Sequence, residues 1–266
     1  GVSPSALSQG ISELERRLGV RLFDKQGRRR VPTAEARAAL THATRILAEV
    51  RELTRWAEEA RGGGVGQLSI GMIDTAAIHH FGDTLIGFRR EHPSLTVRLL
   101  VLPSNALLDQ LRAGEVDAVV CVDPDPDDRF VLEPLVGEPL HIYAPPDTVI
   151  GASKTWGPWV SFPSASRSRS LMARRLRAKG VPFDVVAESS QPAVLKEMVR
   201  LGMGWTVLPP VDAETEPHAL TRATDGPIAE RMLTLVLRAD RVPSPALATL
   251  LDQLRAQAAA ISEDSR

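Results

Sequence analysis

The sequence predicts an α/β protein in three parts: a small helix-and-wing head, a long connecting helix, and a body of two α/β lobes. Three observations predict it. Residues 3–32 hold an amphipathic helix with start and stop signals and then a basic hairpin; residues 33–61 keep helical periodicity without a break; and from Leu68 apolar strands alternate with helices in two successive sets.

The head comes first. Ser3 suits a helix N-cap, Pro4 suits the first helical position, and Leu7, Ile11, Leu14 and Leu18 recur at helical spacing, so that one face is expected to be core. On the other face Ser5, Ser8, Gln9 and Ser12 form a row of short hydrogen-bonding side chains that fits a DNA major groove as readily as it fits plain solvent. Gly10 inside the helix costs roughly 1 kcal/mol against Ala. Gly19 stops the helix, "VRLF" reads as a strand, and "DKQGRRRV" turns through Gly27 into a second strand. From Arg16 to Arg30 there are seven Lys/Arg against the single acid Asp24, a set suited to neutralising phosphates.

Thr33 is the expected N-cap of a helix reaching about Arg61, with Leu40, Ala43, Leu47, Val50, Thr54 and Ala57 approximating an a/d seam. That seam predicts either a helix-to-helix contact between protomers or a helix lying on its own domain. "RGGGVG" at Arg61–Gly66 reads as a flexible joint.

In the body, "LSIGMI", "LTVRLLVL" and "VDAVVCV" read as strands. The segments between them are helical, with Ile78, Phe81, Leu85 and Phe88 expected on one buried side of the first, which makes a βαβαβ run with a parallel sheet. A second set follows: "WVSF", the basic helix "RSLMARRLRAKG", "FDVVAE", the helix "PAVLKEMVRLG" and "WTVLP". "PLHIYAP" and the returning "MLTLVLR" connect the two sets, and the last helix, Pro245 to about Ile261, is expected to pack back on the first. The expected divisions are 1–32 for the head, 33–66 for the helix and joint, and 67–261 for the body. Within the body, one lobe takes about 67–143 with 241–261 and the other about 144–240.

Composition agrees with an ordinary globular protein: 43% hydrophobic, 24% charged, net charge −1 over 266 residues. The near-zero total hides an asymmetry, since residues 1–61 carry 12 basic against 8 acidic side chains and the remainder 20 against 25. Only the first part would attract nucleic acid. No apolar run is long enough to span a bilayer, so no membrane partner and a cytoplasmic location are expected. The lone Cys121 is expected in a buried strand, without an intramolecular disulfide.

The run "VSPSALSQGISELERRLGVRLFDKQGRRRVPTAEARAAL" resembles the winged helix-turn-helix of LysR-type transcriptional regulators. The matching positions are Val2, Ser3, Ala6, Leu7, Ser8, Ile11, Leu14, Glu15, Leu18, Gly19, Leu22 and Phe23. Lys25 stands where the family usually has Arg, Pro32 where it has Leu, and Ala36 where it has Gly. "MVRLGMGWTVLPP" resembles the family's V-x-x-G-x-G-x-x-x-L-P segment, with Trp205 in place of a small aliphatic. The resemblance implies a partial winged helix-turn-helix, a dimerising linker helix and a two-lobed effector domain like periplasmic solute-binding folds. It also implies that roughly two dozen residues precede the motif in the family, so a fragment is the expectation here.

The implied function is transcription regulation, with promoter DNA, a small effector, a second copy in a homodimer or homotetramer, and RNA polymerase as candidate partners. The DNA-binding candidates are Ser3, Pro4, Ser5, Ser8, Gln9 and Ser12, with Arg28, Arg29 and Arg30 for phosphate or minor-groove contact. Ligands of open α/β sheets collect at strand carboxyl ends, beside helix starts. The effector candidates are therefore Thr75, Ser104, Asn105, Ser164, Ser166, Arg169, Gly204 and Trp205, with Asp74 and Arg167 close by; Trp205 either floors the cleft or fills the core. Those hydroxyls suit a small polar or anionic metabolite, although Ser, Thr and Asn are also ordinary caps. No catalytic constellation, metal site or cofactor is expected: His79 and His80 point to different sides of a helix, no Walker loop or nucleophile elbow is present, and "DPDPDD" reads as a solvated turn. The alternative is a small-molecule binding protein with a non-functional DNA-binding remnant.

Overall fold

A computed structural model describes residues 3–27, 29–60 and 66–264. Arg28 and most of the glycine joint lie outside the described residues.

Helix α1 (Pro4–Leu18) starts where its cap dictates: Ser3 Oγ accepts from the Ala6 N–H at 3.2 Å, and Gly19 closes the helix at φ +70° by donating to the Glu15 carbonyl. The apolar stripe is not core in this chain, because Leu7, Leu14 and Leu18 stay 45–57% exposed and no residue of α1 is buried. Strands β1 (Phe23–Gln26) and β2 (Arg29–Pro32) pair antiparallel around Gly27 at φ +63°, so the hairpin starts later than "VRLF" suggested. The Glu15 carboxylate accepts from the Leu22 and Phe23 N–H groups at 2.7 and 3.1 Å, which ties the wing to α1 and holds that carboxyl below the usual range.

Helix α2 (Ala34–Ala60) is capped by Thr33, whose Oγ1 accepts from the Ala36 N–H at 3.0 Å. Its predicted stripe is open to solvent: Leu40, Leu47 and Val50 are more than half exposed. Among the described side chains of α2, the one buried against the chain's own body is Ala48, off that seam, because only a small side chain lets α2 approach closely there.

The body carries one six-stranded sheet in the order β4-β3-β5-β10-β6-β9. β3 (Gln67–Met72) is parallel to β4 (Thr96–Val101) and β5 (Ala118–Val122), as the βαβαβ pattern requires. β10 (Ala229–Arg238) then runs antiparallel between β5 and the 14-residue β6 (Phe130–Tyr143). β9 (Thr206–Leu208), expected as a third strand of the second set, instead pairs antiparallel with the end of β6 from His141 to Tyr143. The second set keeps a parallel pair, β7 (Trp159–Ser161) with β8 (Val185–Glu188), joined to β9 through a bridge from Trp159 to Trp205. One sheet therefore continues from lobe to lobe.

A π-helical turn, Ala76–His80, precedes α3 (Gly82–Glu91), with the Phe81 N–H bonded to the Ala76 carbonyl five residues back. The wider turn shifts the register of the apolar face. Phe81, Leu85 and Phe88 are buried as expected, but Ile78 is turned out and 70% exposed. α4 (Ser104–Arg112) covers β3 and β5, and α8 (Pro245–Asp264) sends Leu247, Leu250, Leu251, Leu254 and Ala258 into the same core as Phe88. A second core lies under α5 (Arg167–Ala178) and α6 (Pro192–Arg200), with α7 (Pro210–Ala213) following β9. Cys121 is buried in the first core, where desolvation pushes its thiol up to about 12.

The π turn makes a direct prediction. Phe88→Ala should cost about 3–5 kcal/mol and Ile78→Ala no more than about 0.5 kcal/mol in urea unfolding, whereas a regular helix would make both costly.

Candidate ligand cleft and nucleic-acid interface

On the head, Ser5, Gln9 and Ser12 are exposed along one side of α1, and Ser8 is half-buried beneath Arg30, whose Nη2 donates to its Oγ at 3.3 Å. Ser3 is occupied as a cap and touches Ser5 Oγ at 3.1 Å, while Pro4 opens the helix. Of the cations, Arg16 and Arg17 are engaged by Glu13, just upstream of the basic run. Lys25 and Arg29 are exposed on the wing without an ion-pair partner among the described residues. Short donors and acceptors on a helix beside unpaired cations on a wing can meet base edges and phosphates together.

In the body, a cavity of about 500 Å³ opens between the lobes. Its apolar wall is Ile73, Val101, Leu102, Val122 and Phe162. Its polar wall is made of helix starts. α4, α5 and α6 all begin at the cavity, and none of their N-caps, Pro103, Ser166 and Gln191, makes a side-chain capping hydrogen bond. Three helix N-termini without side-chain caps, and so three positive dipole ends, thus face one space, which favours a ligand carrying an acceptor-rich or anionic group.

Beside that cavity lies a buried charge centre. The Arg231 side chain, 2% exposed, donates from Nε to Glu138 at 2.7 Å, from Nη1 to Ser168 Oγ at 3.4 Å, and from Nη2 to Thr75 Oγ1 at 3.2 Å. Thr75 Oγ1 in turn donates to Asp212 at 2.8 Å, and His80 Nε2 lies 2.8 Å from Glu138. Burial alone would raise the Glu138 carboxyl, yet the Arg231 charge and the His80 hydrogen bond outweigh it and hold it below the ordinary range. Burial pushes up the Asp74 carboxyl on the cavity wall.

Two contacts cross the cleft near its mouth. Asn105 Nδ2 donates to the Ala165 carbonyl at 2.9 Å, and both terminal nitrogens of Arg167 engage Asp125.

The effector candidates therefore separate. Ser104, Asn105 and Ser166 line the cavity together. Thr75 sits beneath it in the Arg231 network, and Ser164 is exposed outside its wall. Arg169 turns away to Glu188 and the Phe162 carbonyl. Gly204 packs on the Pro158 carbonyl, which a Cβ would approach to 2.6 Å, and Trp205 stacks on Trp156 at 5.4 Å inside the second core. Sequence reasoning missed Arg231, Glu138, Asp212, Ser168 and Gln191. A signal existed for two of them: Arg231 and Glu138 are charges within strands rich in apolar residues, and such charges must find partners when buried.

Comparison with known proteins bears on both sites. The profile described as LysR substrate binding domain matches residues 61–259, and that described as bacterial regulatory helix-turn-helix protein, lysR family, matches residues 1–37. The chain belongs to the LysR family. An uncharacterized HTH-type transcriptional regulator, YfeR, from Shigella flexneri is 29% identical over 272 residues, covering 98% of this chain and 87% of the relative. Among solved structures, full-length CbnR complexed with its target DNA superposes with a TM-score of 0.63 at 19% identity, covering 96% of this chain and 91% of that one. The effector binding domain of QuiR in complex with shikimate gives 0.63 at 14% identity, covering 73% and 98%. The fold of this LysR-type chain is thus shared with regulators that differ widely in sequence.

The charge centre predicts how this LysR-type body responds to mutation and pH. Arg231→Met leaves Glu138 and Asp212 without their buried cation and should cost about 3–5 kcal/mol in chemical unfolding. Because the folded Glu138 pKa is depressed, its contribution is in full above the unfolded carboxylate value of about 4.3 and is lost as pH falls through the lower folded value. Glu138→Gln should remove that part of the acid dependence.

Proposed function

We propose that this LysR-type regulator reads promoter DNA through α1 and its wing and that a small polar or anionic metabolite in the interlobe cleft controls that binding. The observation that carries the reading is the junction, in one chain, of a helix-and-wing bearing unpaired cations with a cleft ringed by three helix N-termini that lack side-chain caps. On this reading Ser5, Ser8, Gln9 and Ser12 face bases, Arg28, Arg29 and Arg30 face phosphates or the minor groove, and Ser104, Asn105 and Ser166 face the effector. Ser8 is held by Arg30, so base and backbone recognition share one contact.

The division into a head of 1–32, a linker helix and joint of 33–66, and an effector body from 67 follows the same reading. The exposed stripe of Leu40, Leu47 and Val50 on α2 supports association with a second copy, since an apolar row of that length is stable only when covered. No described helix is long and apolar enough to cross a membrane, in keeping with action on DNA in the cytoplasm, where RNA polymerase is a further partner. The cleft is read as binding its ligand without turning it over.

Fluorescence anisotropy of the full gene product on DNA from upstream of its own gene, at two salt concentrations, tests the reading. Arg29→Ala should weaken binding to all sequences and reduce the salt slope by about 1, while Ser8→Ala should chiefly erode discrimination, by about 1–3 kcal/mol. Absence of selective binding by the wild type would favour a ligand-binding protein with a silent DNA-binding head.

A further inference from the structure

Two rigid elements run from the cleft to the linker helix. α4 starts in the cleft wall at Ser104 and Asn105, and just beyond its end Gly114 adopts φ +68° directly beneath α2. A Cβ on Gly114 would meet that of Ala48 at 2.9 Å, so the two backbones approach as closely as a glycine and an alanine allow. β10 starts beside the cleft with Arg231 and ends at Arg238, whose Nη2 lies 3.3 Å from the Glu49 carboxylate of α2. Arg241 reaches the same carboxylate at 3.6 Å. Two of the elements that touch the cleft therefore lead, at or just past their ends, to the same turn of α2.

The contact they make holds position without locking it. Its buried apolar part is Ala48, and its ionic part is an exposed Glu49 carboxylate that salt can screen. Arg238 Nη1 and, in the adjoining Arg112, Nε are buried without a hydrogen-bond partner among the described residues, which leaves two donors unsatisfied beside the contact. Beside it, a cavity of about 730 Å³ separates Leu40, Thr41 and Thr44 of α2 from Arg129, Phe130 and Asp240. A closely packed interface would have none of these features.

We propose that this junction is the joint through which the state of the cleft resets α2, with Glu49 the residue on which α4 and β10 act together. The inference rests on the regulator reading above and adds to it the place where the two functions meet. A change in lobe closure displaces the start of α4, the helix moves as a rod, and Gly114 carries Ala48 with it. Glu49 follows because Arg238 ends β10 and Arg241 lies three residues beyond it. The geometry of α2 sets where α1 and the wing are presented.

Hydrogen–deuterium exchange of the full chain tests this without DNA or effector, so its failure and a failure of DNA binding are separate results. Glu49→Arg reverses the charge at the joint, and Glu35→Arg makes the same change at the start of the same helix. The expected result for Glu49→Arg is exchange faster by roughly tenfold or more at residues 44–50 and, through α4, a clear rise at residues 107–110, whose amides are the first hydrogen-bonded ones of that helix, with Glu35→Arg like wild type at both. Glu49→Gln should give a smaller change of the same pattern. Faster exchange confined to α2 overturns transmission, no change at either place overturns the joint, and equal changes in Glu35→Arg overturn the role of Glu49.

Discussion

A guanidinium taken out of water must be matched by acceptors on every side, and around Arg231 those acceptors come from different parts of the chain. Glu138 belongs to the long strand β6, Thr75 to the turn after β3, Ser168 to the first turn of α5, and Asp212, 3.8 Å from Nη2, to α7. Elements separated by up to 156 residues in sequence are thereby fixed around one side chain. A buried pair contributes little when compared with apolar packing, but leaving one partner alone is costly, so the arrangement is specified more than it is stabilised. The lobes on either side are held in one relation at this point and left free to differ at the mouth.

That asymmetry explains the cleft. At its base, charge and hydrogen bonding are satisfied within the protein; Arg231 brings its countercharges with it and is not an empty cation waiting for a ligand. The starts of α4, α5 and α6 carry no side-chain caps, and α4 and α5 come together at the mouth through Asn105 with Ala165, beside the pair of Arg167 with Asp125. An acceptor-bearing ligand would complete the helix ends, while Val101, Leu102, Val122 and Phe162 cover an apolar portion. Exposed contacts at the mouth are weak enough to exchange as a ligand enters, in contrast with the network beneath.

Much of this was legible in the sequence wherever a local rule decides the outcome. Ser3, Gly19, Gly27 and Thr33 mark the ends of elements by capping and by backbone freedom, and the βαβαβ alternation predicted that β3, β4 and β5 run parallel. Ser104, Asn105 and Ser166 could be placed at the cleft because helix starts follow strand ends in such folds. What escaped depends on longer-range or register effects. The π turn at Ala76–His80 inserts a residue into the helical count and expels Ile78. The antiparallel pairing of β9 with β6 is decided by where a 14-residue strand ends, and Trp205 became core because Trp156 and Trp159 close around it. Arg231 was visible as a charge in a strand rich in apolar residues, but its partners lie in four other segments. Arg169, similar to Arg167 on paper, lies two residues further along α5 and so faces a different neighbour.

The central claim is that Arg231 makes the two lobes one cooperative unit, and unfolding monitored by two probes tests it. Trp156, Trp159 and Trp205 all lie in the second core, so in a Trp56→Phe background fluorescence reports that lobe while far-ultraviolet circular dichroism reports the whole chain. Coincident urea transitions in the Arg231 protein that separate into two in Arg231→Met would be the predicted result. Transitions that remain coincident in Arg231→Met would contradict the account and assign the coupling of the lobes to the continuous sheet alone.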